Sequence, residues 1–148
     1  MRAVVQRVTE ASVVIDGETV GAIQTGLCVL LGVSTDDTEA DADYLADKLL
    51  GLRIFDDENA VPNRSVTDVG GAILLISQFT LLGDARKGRR PSYIDAARPE
   101  QAIPLYERCI GRLKASVPVE TGRFGADMKV SILNDGPFTI LLDSKKGF

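Results

Sequence analysis

The chain has 148 residues, of which 45% are hydrophobic and 26% charged, a composition typical of one globular domain. It contains no histidine, which excludes Ser-His-Asp and Cys-His catalysis and every histidine metal site. The net charge of −4 argues against a broadly basic nucleic-acid-binding surface but allows a local basic patch. No stretch approaches the roughly 20 apolar residues of a membrane span, and MRAVVQRVTEASVVIDG lacks a signal-peptide core. We therefore expect a cytosolic protein with no membrane contact.

Short β-branched segments dominate the first third of the chain. MRAVVQRV, ASVVID and ETVGAIQ are predicted strands, and Asp16-Gly17 between the second and third predicts a hairpin. GLCVLLGV is a continuous apolar run, which is typical of a strand buried on both faces.

Two helices are predicted. The first begins after Thr38 as N-cap, has Asp41 in its first turn and ends near Gly51, with Leu45, Leu49 and Leu52 at helical spacing. The second runs from about Pro99 to Lys114 with one apolar side.

The rest of the chain reads mainly as strands: AILLISQFTLLG, a long core strand, then VPVETGRF, DMKVSILN and PFTILLDS. We expect an α+β fold in which a mainly antiparallel sheet or barrel carries two helices, as a single domain over residues 1–148. Cys28 and Cys109 have no metal or redox spacing, and we interpret both as buried structural thiols.

The segment SQFTL, from Ser77 to Leu81, places two hydroxyls, an amide and an aromatic ring at the end of an apolar strand. Strand alternation would put Ser77 and Phe79 on one side and Gln78 and Thr80 on the other. Composition alone favours a strand leaving the core, in which Thr80 is present for its β-propensity.

The segment NDGPFT, from Asn134 to Thr139, is rich in turn-forming residues. It is either a tight turn between two strands or a rigid piece of backbone that probes the shape of a ligand, because Gly136-Pro137 exposes carbonyl groups with little side chain around them. The sequence does not reveal the isomer of this bond.

Four cations, Arg86, Lys87, Arg89 and Arg90, lie within five residues of an otherwise acidic chain. They form either a solvated loop or a local site for phosphates, which would give salt-dependent binding without base specificity. No P-loop, dinucleotide fingerprint or metal-ligand pattern is present, so we expect no cofactor and no metal.

The chain resembles the D-aminoacyl-tRNA deacylase family from end to end. The resemblance lies in MRAVVQRV, SQFTL, VETGRFGADMKVSILNDGPFT and the short closing strand, which occur in the family's order. It implies an enzyme that hydrolyses the ester bond of D-aminoacyl-tRNA, and glycyl-tRNA as well, while rejecting L-aminoacyl esters.

The resemblance also implies a homodimer with active sites at the subunit interface. Ser77 and Gln78 would bind substrate, and Phe79 and Thr80 would be catalytic. Gly136 and Pro137, joined by a cis bond, would enter the site from the partner subunit, held by Arg7. Phe138 stands where the family often has valine, which puts the pocket size nearby in question.

The chemistry that follows needs no histidine, because an aminoacyl ester is already activated. Backbone N–H groups around Phe79 and Thr80 would stabilise the oxyanion, and the 2′-hydroxyl of the terminal adenosine would position or activate water. Thr80 as a nucleophile is a weaker hypothesis, since the motif holds no histidine or lysine to take its proton. Two alternatives stay open: a non-catalytic RNA-associated module using the Arg86–Arg90 loop, and a small-ester or amide hydrolase using Thr80.

Overall fold

The computed structural model describes residues 1–148 and contains eight strands and two α-helices. The helices are α1 (Glu39–Gly51) and α2 (Pro99–Lys114). The strands are β1 (Arg2–Ile15), β2 (Glu18–Ile23), β3 (Gly26–Gly32), β4 (Phe55–Asp56), β5 (Pro62–Arg64), β6 (Ala72–Ser77), β7 (Val119–Thr121) and β8 (Lys129–Asp143).

One mixed sheet forms the centre of the fold. β1 pairs antiparallel with β2, β3 and β8, whereas β3, β6 and β7 run parallel to one another. The sheet curls so far that β2 approaches β7: a Cβ added to Gly21 would lie 2.7 Å from the carbonyl oxygen of Thr121. The result is a nearly closed barrel carrying two helices in a single domain, which confirms the predicted fold class.

The central strands are buried on both faces, as the continuous apolar runs predict. Along β3 and β6, Leu27, Val29 and Leu75 point into a core of 24 buried residues shared with the helices. Cys28 and Leu74, one residue out of phase, point into a second cluster of seven residues. Alternation of side chains across the pleat therefore divides one apolar run between two cores.

The hairpin at Asp16-Gly17 is confirmed. Both residues have positive φ, 49° and 77°, and they join β1 to its antiparallel neighbour β2. The two strands predicted before the hairpin are instead one strand of 14 residues, Arg2–Ile15. Register shifts opposite β8 between Gln6 and Val8 and between Val8 and Glu10 let this single strand continue without a break in pairing.

Both predicted helices are confirmed. Thr38 precedes α1 and its backbone N–H donates to the Asp41 carboxylate at 2.8 Å, while Leu45 and Leu49 are fully buried. Ion pairs between the helices join Arg108 to Asp43 at 2.8 Å and Arg112 to Asp47 at 2.8 Å. Neither helix has the length and hydrophobicity that a membrane-spanning helix requires.

Four predicted strands differ from the structure. AILLISQFTLLG leaves the sheet at Ser77 and continues as a 3₁₀ turn, Phe79–Leu82, which returns Leu82 to the core against Gly32. VPVETGRF contributes only Val119–Thr121 to the sheet. DMKVSILN and PFTILLDS are two halves of one strand, β8, because both halves pair with the long β1.

The interpretation of both cysteines as buried thiols is confirmed. Cys28 and Cys109 are free and at most 1% exposed. Burial raises the pKa of the Cys28 thiol to about 11 and that of Cys109 to about 12. Neither thiol is therefore ionised at neutral pH, which is the state expected of a structural cysteine.

Candidate functional site

The SQFTL segment lies where the parallel strands β3 and β6 end. The N–H of Gln78 makes the last sheet bond, to the Leu31 carbonyl at 2.8 Å, and the N–H of Leu81 then turns back to the Gln78 carbonyl at 3.2 Å. The chain turns here because Leu82 is buried, at 5% exposure, whereas an extended strand would carry it away from the core. The turn leaves Phe79 and Thr80 exposed.

Two adjacent backbone N–H groups, those of Phe79 and Thr80, have no hydrogen-bond acceptor in the structure. They are the first donors of the 3₁₀ turn, which no earlier turn can satisfy. The Thr80 hydroxyl oxygen accepts a hydrogen bond from the Gln78 side-chain amide. Gln78 and Thr80 thus share one side of the turn, although strand alternation beyond Ser77 does not apply.

An apolar cleft adjoins this turn. Ser77 and Phe79 line it together with Tyr106 and Phe124, and with Leu31, Val33, Ala97 and Ala102. Tyr106 donates to the Leu75 carbonyl at 2.7 Å, and burial raises the pKa of its hydroxyl. That phenol is therefore a structural hydrogen-bond donor and not a base at neutral pH.

Gly136 and Pro137 lie in a bulge of β8. Gln6 pairs with Thr139 and Val8 with Asn134, so the four residues 135–138 face the single residue Arg7 of β1. The Gly136-Pro137 bond is cis, as the family resemblance implies, and both residues are exposed. The dense turn chemistry of NDGPFT thus forms an outward bulge within one strand, not a turn between two separate strands.

Arg7, on the neighbouring strand β1, holds this bulge in place. Its Nε donates to the Asp135 carbonyl at 3.0 Å and its Nη1 to the Ile54 carbonyl at 2.8 Å. Its guanidinium carbon lies 4.7 Å from the centroid of the Phe138 ring, a cation–π distance. With a side chain only 11% exposed, Arg7 is a fixed support and not the exposed strand arginine that its position suggests by default.

Asn134 closes the bulge from its other end. Its Oδ1 accepts from the Phe138 N–H at 2.9 Å, and its Nδ2 donates to the Thr139 hydroxyl at 3.0 Å. A Cβ on Gly136 would lie 2.9 Å from the Phe138 nitrogen, and its φ of 142° also favours glycine. The backbone at residues 135–138 is therefore held in one conformation.

One subunit does not bring SQFTL and the bulge together. The Gln78 N–H bonds to Leu31 of β3, and Leu31 pairs with Ala3 of β1. The bulge instead faces Arg7, four residues further along β1, on the edge of β1 that pairs with β8. Four residues of strand correspond to about 13 Å, in addition to the lateral separation of the strands. No hydrogen bond or ion pair joins the two segments.

The basic loop is only partly available to a ligand. Arg86 makes a two-pronged ion pair with Asp84, at 2.8 and 2.9 Å, and its hydrogen bonds lower the pKa of Asp84 to about 2. Lys87, Arg89 and Arg90 are exposed and have no acidic partner. The structure therefore divides the four predicted cations into one structural arginine and three unpaired charges.

A groove of about 540 Å³ lies elsewhere, between β1, β2 and β8 at Glu10, Ile23 and Leu133. This groove contains none of the predicted site residues and only one ionisable group. We therefore place the candidate site at the SQFTL turn, where the polar groups lie. No cluster of three or more Cys, Asp or Glu side chains is arranged to hold a metal ion. The predictions of no metal and no cofactor stay predictions.

Three contacts of the site have no recognisable signal in the sequence. The Ile54 carbonyl that binds Arg7 follows α1 in an unremarkable loop, and Asn134 looked like one more turn residue. Tyr93 packs edge-on against Phe79, with ring centroids 5.2 Å apart. The Arg7–Ile54 and Phe79–Tyr93 contacts join residues distant in sequence, so no local pattern could have indicated them.

Comparison with known proteins gives a consistent result. A family model described as D-Tyr-tRNA(Tyr) deacylase matches residues 4–143. A D-aminoacyl-tRNA deacylase of Symbiobacterium thermophilum is 59% identical, over 100% of this chain and 99% of the relative. Another, from Caldicellulosiruptor bescii, is 60% identical over the full length of both chains.

Two solved structures share the fold. One, described as a c-Myc DNA unwinding element binding protein, superposes with a TM-score of 0.92 at 44% identity, over 97% of this chain and 98% of that one. Another, of a probable eukaryotic D-amino acid tRNA deacylase, has a TM-score of 0.83 at 18% identity, over 95% and 97%. At that identity the second likeness concerns the fold alone.

The class that the fold and the matching relatives define is a deacylase, a kind of hydrolase. The chain belongs to the D-aminoacyl-tRNA deacylase family, matching its model over nearly the whole length. This membership confirms the family and the enzyme class that the sequence motifs indicated, and with them a role in translation quality control.

Proposed function

We propose that this protein hydrolyses the ester bond of D-aminoacyl-tRNA to free tRNA and the D-amino acid, in the cytosol where aminoacyl-tRNA is used. The observation that carries the proposal is the pair of unsatisfied N–H groups at Phe79 and Thr80, exposed on a turn that the matched family model includes. Such donors stabilise the oxyanion that forms when water attacks an ester carbonyl.

The reaction needs no protein nucleophile. Water adds to the carbonyl carbon, the two N–H groups hold the resulting oxyanion, and the bond to the ribose oxygen breaks. The proton from water passes to that leaving oxygen, with the neighbouring 2′-hydroxyl of the substrate positioning the water. Ser77 and Gln78 line the substrate side of the turn.

In this proposal Thr80 acts through its backbone N–H, which binds the oxyanion. Its hydroxyl oxygen accepts from Gln78, and no side chain accepts the hydroxyl proton, so the base required by a threonine nucleophile is missing. Thr80→Ala keeps the N–H, and we expect turnover within about tenfold of wild type. Thr80→Pro removes the N–H, and loss of one oxyanion donor lowers kcat by about 100- to 1000-fold. Equal activity of the two variants would contradict an oxyanion site here.

Chirality is read by the bulge at Gly136-Pro137. D and L esters differ only by exchange of a hydrogen and a side chain, so selection requires an element that excludes the wrong isomer. The free carbonyl groups of this bulge, whose backbone Arg7 and Asn134 hold in place, would bind the amino group of a D substrate and leave no room for an L side chain. Glycine has no side chain to exclude, so glycyl-tRNA would also be hydrolysed.

A complete site requires a second copy of the chain. The bulge lies about 13 Å along β1 from the level of SQFTL, and it faces solvent. β8 pairs only with β1, which leaves its other edge open, and Leu133 and Leu141 on it are 55% and 54% exposed. We propose a homodimer in which the bulge of one subunit enters the SQFTL site of the other.

Mixing two defective variants tests this arrangement. Thr80→Pro damages the turn, and Gly136→Ala damages the bulge, where the new Cβ meets the Phe138 backbone. Unfolded together and refolded, they form mixed dimers that contain one intact composite site. We expect about a quarter of wild-type activity from the mixture and little from either variant alone. Failure of the mixture to regain activity, with mixed dimers verified by mass, would refute the shared site.

The substrate assay is hydrolysis of D-Tyr-tRNA and L-Tyr-tRNA, followed by ester loss. Selective loss of the D ester supports the proposal, and equal loss of both contradicts it. A non-catalytic RNA-associated module would hydrolyse neither ester. A small-ester hydrolase using Thr80 would lose its activity in Thr80→Ala.

A further inference from the structure

The 3₁₀ turn that follows β6 is held by few hydrogen bonds of its own. The N–H of Leu81 donates to the Gln78 carbonyl at 3.2 Å, and that of Gly83 donates to the Thr80 carbonyl at 2.9 Å. Short 3₁₀ segments have poorer hydrogen-bond geometry than α-helices, and this one spans four residues. Contacts from outside the turn must therefore fix the direction of its two free N–H groups.

The turn packs closely against the backbone of β3 at Gly32. A Cβ added to Gly32 would lie 2.9 Å from the Gln78 carbonyl oxygen and 3.1 Å from the Cβ of Leu81. Because Gly32 has no side chain, the backbone of the turn can approach the strand this closely. Gly32 is the register partner of Arg2 on the neighbouring strand β1, so the turn comes within reach of the Arg2 side chain.

Arg2 binds the far end of the turn. Its Nη1 donates to the Leu81 carbonyl at 3.0 Å, and no backbone N–H donates to that carbonyl. Leu81 is half-buried, so water would replace a lost arginine donor only in part. Arg2 therefore fixes a peptide group that lies two peptide groups beyond the one carrying the Thr80 N–H.

The Arg2 side chain is itself held by the end of β8. Asp143, its register partner on that strand, has a carboxylate oxygen 4.0 Å from the Arg2 Nε, and the Asp143 side chain is only 7% exposed. The same carboxylate accepts from the N–H groups of Lys145 at 2.9 Å and Gly147 at 3.3 Å, which fix its position. A series of contacts thus runs from Asp143 through Arg2 to the carbonyl of Leu81.

We propose that Arg2 is a positioning residue for ester hydrolysis, which holds the turn so that the N–H groups of Phe79 and Thr80 point at the developing oxyanion. The inference rests on the proposed function, which puts the ester carbonyl at those two groups. Donors stabilise an oxyanion well only when they are fixed before the reaction, and a misplacement of about 1 Å can lower a rate about 100-fold. Arg2 acts through the backbone of the turn and does not touch the substrate.

Steady-state hydrolysis of D-Tyr-tRNA tests this role. Arg2→Met keeps most of the side-chain length and removes the donors, so we expect kcat to fall about tenfold with KM within about twofold of wild type, because the oxyanion forms only in the transition state. Arg2→Lys keeps a cation that can donate to the Leu81 carbonyl and should restore most of kcat. Arg53→Met, which also removes an arginine bonded to a backbone carbonyl, is the matched control and should leave kcat unchanged. An unchanged kcat in Arg2→Met would overturn the proposal.

A double-variant comparison tests whether Asp143 acts through Arg2. Asp143→Asn removes the charge that faces the guanidinium while keeping the shape of the side chain, and it should lower kcat less than Arg2→Met does. If Asp143 acts by holding Arg2, the double variant Arg2→Met/Asp143→Asn should be no slower than Arg2→Met alone. Two effects that multiply in the double variant would overturn the part assigned to Asp143.

Amide hydrogen exchange, followed by NMR, examines the turn without any substrate. In Arg2→Met we expect the amides of Leu81 and Gly83, which are bonded within the turn, to exchange about tenfold faster than in wild type. The amide of Leu74, buried in β6 between two paired strands, should keep its wild-type protection. Equal acceleration at all three amides would show a general loss of stability and would overturn the positioning role, as would unchanged exchange at Leu81 and Gly83.

The two kinds of measurement separate this inference from the proposed function. A wild type that leaves D-Tyr-tRNA intact would refute the proposed function, while exchange at Leu81 and Gly83 would still decide whether Arg2 holds the turn. A wild type that hydrolyses D-Tyr-tRNA, together with an Arg2→Met variant of unchanged kcat, would leave the proposed function standing and overturn the role of Arg2.

Discussion

Removing the guanidinium of Arg7 should damage both the stability of the protein and its choice between D and L esters. Arg7 is the one residue of β1 that faces the four-residue bulge, and it joins that bulge to the Ile54 carbonyl. Arg7→Met keeps most of the side-chain length and removes the charge and both donors. Arg7→Lys keeps the charge but replaces the planar fork by a single ammonium.

The expected cost follows from the three contacts. Ile54 is 5% exposed and its carbonyl has no other donor, so leaving it unpaired costs about 1–3 kcal/mol. The Asp135 carbonyl lies in an exposed residue, where water replaces the lost donor at little cost. The stacking of Phe138 on the guanidinium, at 4.7 Å, contributes about 0.5–1 kcal/mol more. We therefore expect Arg7→Met to lower the free energy of unfolding by about 1.5–4 kcal/mol.

Urea unfolding at one fixed protein concentration measures the stability, since a dimer would make it concentration-dependent. Hydrolysis of D-Tyr-tRNA and L-Tyr-tRNA, well below the unfolding temperature, measures selectivity. We expect the D rate to fall and the ratio of D to L rates to drop at least tenfold for Arg7→Met. Arg53→Met is the matched control, because Arg53 also donates to one backbone carbonyl, that of Asn63, away from the bulge.

A D-to-L ratio within twofold of wild type, in an Arg7→Met protein that is measurably destabilised, would refute the link between the bulge and chirality. Phe138→Val then measures the contribution of the Phe138 ring separately from that of the Arg7 hydrogen bonds. It removes the ring while Arg7 keeps both hydrogen bonds, so we expect a stability loss near 1 kcal/mol and retained selectivity.

Three further outcomes follow from buried groups. Asp37→Asn removes the partner of the Met1 ammonium, 2.6 Å away and fully buried, and should cost about 3–5 kcal/mol in urea unfolding; a loss under 1 kcal/mol would contradict that ion pair. Burial opposes ionisation of Asp41, yet hydrogen bonds from Thr38 and Lys145 hold its pKa well below its usual range. The contribution of Asp41 to the free energy of unfolding is therefore complete above about pH 4 and is lost as pH falls. Asp41→Asn should make the free energy of unfolding depend less on pH below about pH 4. The two thiols, with pKa values of about 11 and 12, should resist Ellman's reagent at pH 8 in the folded protein and both react in 6 M guanidinium.

Local patterns were sufficient for most elements of the fold. The positive φ that Asp16-Gly17 tolerates identified the hairpin, helical spacing of leucines identified α1, and the apolar run GLCVLLGV identified a strand buried on both faces. These features depend on neighbours within a few residues, so the sequence alone carries them. The motifs SQFTL and NDGPFT also indicated the family, which the comparisons confirmed.

Tertiary packing decided the features that matter for the site. AILLISQFTLLG has strand character throughout, but burial of Leu82 turns it at Ser77 and thereby frees the N–H groups of Phe79 and Thr80. DMKVSILN and PFTILLDS read as separate strands until pairing with β1 makes them one strand with an outward bulge. Composition and periodicity determined which segments fold regularly, because those are properties of neighbouring residues. Contacts between distant residues, such as Arg7 with Ile54, determined where the chain departs from regular structure and thus where a substrate can be held.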